Sequence, residues 1–229
     1  IYRREHHRFF GGVDRYYMPF FSPTVHRTFT SRETRELPKA DSVPFCAVPQ
    51  VLTNDPESFL WAAEACRDLG YAEINLNAGC PSGTVVAKRK GSGMLRDPDS
   101  LSSFFDRIFA KSPLPVSVKT RLGMEEPEEF EKVLALYNRY PIQELIVHPR
   151  VRRQFYEGQV HSEWFAYAAQ NSCNPLCYNG DIRSLADIRA LEEAYPLLPA
   201  VMIGRGLIAD PGMLAGGTEI DTLEAFLNA

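Results

Sequence analysis

Hydrophobic residues along this chain keep two different rhythms, and the switching between them predicts its elements. From Ala72 to Asn77 the apolar Ile74 and Leu76 alternate with Glu73, Asn75 and Asn77, the period-two pattern of a strand with one packed face and one polar face. From Pro115 to Thr120, Val116 and Val118 face one way, Ser117 and Lys119 the other. Further strands are predicted at Val13 to Phe21, with Pro19 near its end, and at Pro44 to Gln50, Glu144 to His148, Pro175 to Asn179 and Pro199 to Gly204. Between strands the apolar spacing becomes helical. Phe59, Leu60, Ala63 and Cys66 follow the cap Asn54-Asp55-Pro56 and stop at Gly70, and Leu101, Phe104, Phe105 and Ile108 follow Asp97-Pro98, both starts being typical of helix caps. Phe130, Val133, Leu134 and Tyr137 follow Pro127, and Leu185, Ile188 and Leu191 follow Ser184. Ser162 to Gln170 and the terminal runs Ile1 to Phe10 and Thr218 to Ala229 are also helix-like, while Thr28 to Lys39 reads as a polar loop.

Strand-then-helix units of about 25–30 residues, without hairpin signals, imply a parallel sheet. The polar residues decide its closure. Asn77, Lys119, His148, Asn179 and Arg205 each end a different strand. An open doubly wound sheet gathers its ligand at one switch point, whereas a barrel collects groups from all its strand ends. The expected fold is therefore α/β, a (β/α)8 TIM barrel. About seven strands are legible where eight are required. The missing one is expected before Ile1, because the chain opens in the helix that would follow it.

Candidate chemistry concentrates where the polar strand faces end. Gly79 permits a sharp turn and Pro81 fixes the exit, so Cys80 is held in one direction at the C-terminal end of its strand. By residue type alone, a free cysteine is more often a small buried hydrophobe. Asn179-Gly180-Asp181 and Gly204-Arg205-Gly206 close the last two strands, where TIM barrels commonly bind phosphate. Arg205 can pair with such a phosphate, and Asp210-Pro211 is placed to start the accompanying short helix. Lys119, on an inner strand face, calls for an anion or an electron-rich acceptor. His148 reads equally as a ligand or as a satisfied structural residue.

Composition narrows the class. The 229 residues are 45% hydrophobic and 24% charged, ordinary for a globular domain. No apolar run approaches the roughly 20 residues that span a bilayer, and a cytoplasmic protein without membrane association is expected. Five scattered cysteines argue against a disulfide framework, and Cys173 and Cys177 have no second pair at zinc spacing, so no metal is expected. A net charge of −4 means that any nucleic acid must be met by a local patch. Candidate patches are Lys88-Arg89-Lys90 and the group Arg150, Arg152 and Arg153.

Five motifs in order, Asn77-Ala78-Gly79-Cys80-Pro81, Val118-Lys119-Thr120-Arg121, Val147-His148-Pro149-Arg150, Asn179-Gly180-Asp181-Ile182 and Met202-Ile203-Gly204-Arg205-Gly206, resemble the tRNA-dihydrouridine synthases. The likeness runs from about Val13 to Leu214. It implies an FMN-binding TIM barrel followed by a small helical domain, reducing a uridine of tRNA to 5,6-dihydrouridine with NADPH, or NADH, as electron donor. Reduced flavin would deliver hydride to C6 of uracil, and Cys80 would protonate C5 from the opposite side. An unperturbed thiol, with a pKa near 8.5, is protonated at neutral pH and suits an acid.

The resemblance further implies that Gln50, Lys119 and His148 hold the flavin, the lysine stabilising negative charge near N1 and O2. Asn179, Gly180, Asp181, Gly204 and Arg205 would hold its phosphate end. Asn77, Arg121 and Arg150 would contact substrate, and Phe155 or Tyr156 would line the entrance for an extruded base. Residues 1–215 would form the barrel domain, incomplete at its start, and 216–229 a linker or the first part of the helical domain. A monomer is expected. Two departures stand out: Ser82-Gly83-Thr84 replaces the basic residue many members carry after the Cys-Pro pair, and the usual first strand, ending in an Ala-Pro-Met-like flavin contact, is missing from the pattern. Two other readings compete, an FMN barrel oxidoreductase acting on a free small molecule and a non-catalytic RNA-binding fragment.

Overall fold

Parallel neighbours cannot be joined by a tight turn, so each step between strand positions must carry a crossover. In the computed structural model, which describes residues 1–229, the strands are β1 (Arg15–Tyr17), β2 (Cys46–Val48), β3 (Gln50–Val51), β4 (Ile74–Ala78), β5 (Val116–Arg121), β6 (Leu145–His148), β7 (Leu176–Tyr178) and β8 (Ala200–Val201). The helices are α1 (Tyr2–Phe9), α2 (Ser31–Glu36), α3 (Pro56–Asp68), α4 (Gly83–Ala87), α5 (Pro98–Lys111), α6 (Glu129–Tyr137), α7 (Ser162–Asn171), α8 (Leu185–Ala194), α9 (Arg205–Ala209) and α10 (Ile220–Leu227). All ladders are parallel, β1 beside β2 and then β3-β4-β5-β6-β7-β8. β2 and β3 are one line of chain interrupted at Pro49, which has no N–H to give a ladder. A bridge from Phe21 to Val51 carries the β1 segment alongside β3. The strands thus occupy seven positions in one row, in agreement with the pattern.

The row is curled. Arg15 and Tyr17 on β1 reach Glu144, the residue before β6: the Arg15 guanidinium pairs with it and the Tyr17 hydroxyl donates to it at 2.9 Å. Arg15 also lies 3.5 Å from Glu73 at the foot of β4. On a flat sheet four strand spacings would separate β1 from β6 by roughly 19 Å, so these contacts require barrel-type curvature. No ladder joins β8 to β1. α1 lies across that seam: buried His6 bonds Tyr16 Oη through Nδ1 at 2.8 Å and the Pro211 carbonyl through Nε2 at 2.9 Å. α10 packs on α1, with Phe226 edge-on to Tyr2, Phe9 and Phe10.

The apolar core fills the layer between sheet and helices. Ile74, Leu76, Val116 and Val118 point outward onto Phe59, Phe105, Ile108, Phe130 and Tyr137, all essentially inaccessible; each such large side chain contributes roughly 2–3 kcal/mol. The polar alternates Asn75, Asn77, Ser117 and Lys119 are left on the inner wall. Asp55, Asp97 and Ser184 cap α3, α5 and α8 as the sequence predicts.

Three expectations are corrected. The supposed loop from Thr28 to Lys39 contains α2, started by a capping box in which Thr30 Oγ1 accepts from Glu33 N and the Glu33 carboxylate accepts from Thr30 N. The strand predicted from Val13 to Phe21 narrows to Arg15–Tyr17, because Pro19 interrupts its ladder. The short helix after the last strand begins at Arg205, not at Asp210-Pro211, and the Pro211 carbonyl instead receives His6.

Candidate active site

The end of β4 is tied down by its own asparagine. Asn77 Oδ1 accepts from the backbone N–H of Gly79 at 3.1 Å and of Cys80 at 2.9 Å. This folds the chain back at the barrel mouth and orients the half-buried, free Cys80. The Cys80 carbonyl is held from the other side by Ser92, whose N–H and hydroxyl donate at 3.1 and 2.9 Å. Gly91 makes that approach achievable: its φ is +58°, and a Cβ there would stand 2.8 Å from the Cys80 oxygen. Asn77 Nδ2 donates to Gln50 Oε1 at 2.8 Å, leaving one N–H for a ligand.

Lys119 stands opposite Asn77 in the ladder. Burial, with a smaller contribution from Arg121, pulls its ammonium down to about 8. Arg121, Cys177 and Cys80 lie near enough to act on it, and no carboxylate forms a salt bridge with it. His148, on the next strand, is buried and surrounded by cations. Desolvation first, then Arg121, Lys119, Arg150 and Arg205, pull its pKa down to about 2, so it is neutral. Its Nε2 accepts from Arg150 Nη1 at 3.1 Å, which puts the ring proton on Nδ1.

The two arginines expected to contact substrate lie inside the fold. Arg121 is 1% exposed and donates to three carbonyls: Gly79 at 2.9 Å, Val151 at 3.0 Å and Phe155 at 2.5 Å. Its guanidinium stacks on Tyr156, 5.2 Å from the ring centre. Arg150, also 1% exposed, donates to both oxygens of Asp181, at 3.2 and 2.5 Å, and to the carbonyls of Glu157 and Gly158. Both therefore brace the mouth loops, with their guanidinium donors committed inside the fold.

Asp181 also accepts from Arg205 at 2.9 Å, and the arginines on it hold its carboxyl below the usual range. The exposed Tyr156 ring lies over Arg205 as well as Arg121, at 5.3 Å from the former. Asn179 Nδ2 donates to the Met202 carbonyl at 2.9 Å, fastening β7 to the end of β8. Gly180 packs against the Tyr178 hydroxyl, where a Cβ would stand 2.6 Å away, whereas a Cβ on Gly204 would meet nothing within 4 Å. The structure thus brings Gln50, Asn77, Cys80 and Lys119 together on one wall and His148, Arg150, Asp181 and Arg205 on another. Four residues carried no assignment from sequence: Asn75 and Ser117, which lie behind Gln50, and Gly91 and Ser92, which hold Cys80. The Gly91-Ser92-Gly93 triplet was the available signal for the last two.

The model of the family described as dihydrouridine synthase (Dus) matches residues 4–226. A probable tRNA-dihydrouridine synthase of Rickettsia bellii is 32% identical over 74% of this chain and 52% of its own. A tRNA-dihydrouridine(16) synthase of Aquipseudomonas alcaligenes is 31% identical over 72% of this chain and 52% of its own. The chain spans about half the length of the curated relatives it matches. Among solved structures, histamine dehydrogenase from Rhizobium sp. 4-9 superposes with a TM-score of 0.60 at 12% identity, over 99% of this chain and 43% of that one. The BexX/CysO complex of Amycolatopsis orientalis gives 0.54 at 15% identity, over 99% of this chain and 84% of that one, and both likenesses concern the fold alone. The five motifs, the curled parallel sheet and a family match over nearly the whole length lead to one conclusion: this chain belongs to the dihydrouridine synthase family.

Proposed function

We propose that this chain forms the catalytic barrel of an FMN-dependent oxidoreductase that reduces uridine in tRNA to 5,6-dihydrouridine, with NADPH or NADH as electron donor. Family membership supports the reaction class. The observation that carries the reading is Lys119. Its ammonium sits on the inner wall with no salt-bridge partner, a costly arrangement unless an electron-rich or anionic group arrives. The isoalloxazine of FMN is such a group, and buried Gln50 lies on the same wall to contact it. For the phosphate end, the open space at Gly204 and the exposed Arg205 fit an oxyanion. Arg205 would exchange its partner Asp181 for the phosphate, while Arg150 keeps that carboxylate in place.

When bound and reduced, FMN supplies a hydride for C6 of the uracil. Cys80 then donates its Sγ–H proton to C5, and solvent restores the thiol. Asn77 serves this step by fixing the Cys80 amide and by offering its remaining N–H to the base edge. Neutral His148 offers an uncharged ring to the flavin side, and Tyr156 gives an exposed aromatic face at the entrance for an extruded base. The basic group Lys88, Arg89, Arg152 and Arg153 would meet tRNA phosphates.

The test is direct. Purified chain, supplied with FMN, NADPH and tRNA lacking dihydrouridine, should bind the flavin and form dihydrouridine by mass spectrometry of the digested RNA. Flavin binding with reduction of free enones, and none of tRNA, would point to the small-molecule oxidoreductase. RNA binding without flavin uptake would leave only the non-catalytic reading.

A further inference from the structure

The inner wall beneath Cys80 is built from side chains that can be satisfied in only one direction. The backbone N–H groups of Gly79 and Cys80 can only donate, so the Asn77 atom they meet must be Oδ1. That turns Asn77 Nδ2 toward Gln50, which must answer with Oε1, at 2.8 Å. Gln50 Nε2 then faces Asn75, which must answer with Oδ1, again at 2.8 Å. Asn75 Nδ2 finally donates to Ser117 Oγ at 2.9 Å. The row starts on β5, crosses β4 to β3, returns to the end of β4 and stops at the loop carrying Cys80. Asn75 and Ser117 are 0% exposed, and Gln50 and Asn77 only 7%. None can readily exchange a lost partner for water, and a reversed amide would set two donors or two acceptors against each other.

We infer that Asn75 and Ser117 are positioning residues for Cys80, acting through the row Ser117–Asn75–Gln50–Asn77 that ends on the Cys80 amide. Both are too deep to touch substrate or flavin, so any influence they have on the chemistry passes along this row. Ser117 closes the far end of the row: the direction is set by the Gly79 and Cys80 N–H groups, and the Ser117 hydroxyl, which can accept or donate, holds the Asn75 amide in place by accepting from it. Removing that hydroxyl leaves a buried Asn75 N–H without its acceptor, and the shift that relieves it displaces Gln50 and then Asn77, whose oxygen holds the Cys80 N–H. This inference rests on the proton-donor reading of Cys80.

The test compares Ser117→Ala, Asn75→Leu and the conservative Ser117→Thr in the whole chain. The first readout needs no turnover: the rate of iodoacetamide alkylation at Cys80, followed on its own peptide by mass spectrometry in flavin-free folded protein and normalised to protein unfolded in urea. The loss of one buried hydrogen bond should change that rate by about fivefold in Ser117→Ala and Asn75→Leu, with Ser117→Thr close to wild type. In flavin-loaded protein kcat should fall by a similar factor while KM for tRNA stays within about twofold. Should Asn75→Leu not fold, Ser117→Ala, which removes a single oxygen, carries the test. Folded variants with wild-type alkylation and wild-type kcat would overturn the inference, as would Ser117→Thr behaving like Ser117→Ala. The two proposals fail separately. A wild-type chain that makes no dihydrouridine, while the variants shift Cys80 alkylation, removes the activity and keeps the row; an active wild type with unshifted variants does the reverse.

Discussion

Arg121 donates its Nε to the Gly79 carbonyl at 2.9 Å, one residue before Cys80, while its two Nη atoms hold the Val151 and Phe155 carbonyls. One buried guanidinium therefore joins the loop that carries the candidate acid to the turn that carries Tyr156. That turn needs holding, because Phe155 has a φ of +49°, a conformation L-residues avoid. Lysine has a single ammonium and cannot serve three carbonyls in a plane. Arg121→Lys should cost about 2–4 kcal/mol in urea unfolding and lower kcat. A raised KM for tRNA with unchanged stability would instead make Arg121 a substrate contact.

Lys119 gives a prediction with two opposite signs. Its pKa in the folded chain is depressed to about 8 from an ordinary 10.5. The folded, flavin-free state therefore binds that proton less readily than the unfolded state. The associated stability is present above about pH 10.5 and is lost as the pH falls toward 8. Lys119→Met should accordingly stabilise the flavin-free chain at pH 7 and weaken flavin retention. In wild type, flavin affinity should decline as the pH rises through about 8, and the variant should lack that decline. Calorimetry with and without FMN checks both, and a variant that loses stability without losing flavin would contradict the assignment.

His6 predicts acid sensitivity at the β1–β8 seam. Burial lowers its pKa below the ordinary 6.5, and both ring nitrogens are engaged, to Tyr16 and Pro211. Its neutral form is the folded form, so its contribution is present above about pH 6.5 and is lost as the pH falls. His148, lowered to about 2, acts in the same direction. Each histidine kept neutral contributes a slope of up to about 1.4 kcal/mol per pH unit below its unfolded pKa. Unfolding of His6→Gln between about pH 6.5 and 5 should show a shallower slope than wild type. Parallel slopes would place His6 outside the seam's pH response.

Much of this arrangement is legible in residue order. The alternation of Asn75 and Asn77 with Ile74 and Leu76, and of Ser117 and Lys119 with Val116 and Val118, announces a polar inner wall, because a strand turns successive side chains to opposite faces. The caps at Asp55, Asp97 and Ser184 are local chemistry and read equally well. α2 is hard to read because its residues are polar throughout, although Thr30 and Glu33 carry its start signal. The bracing contacts of Arg121 and Arg150 are not legible for a different reason. Charge is visible in a sequence, but the carbonyls and carboxylate that bury it, Gly79, Phe155 and Asp181, lie 42, 34 and 31 residues away along the chain. The row from Ser117 to Asn77 was hidden in the same way, since its order depends on strand register.

The most direct test of the account is a single turnover by Cys80→Ala. The variant should bind FMN as wild type does, accept electrons from NADPH, and then hold reduced flavin in the presence of tRNA, with dihydrouridine formation slowed at least about 100-fold. Dihydrouridine formed by Cys80→Ala at the wild-type rate would show that the proton comes from another group and would contradict the account at its centre.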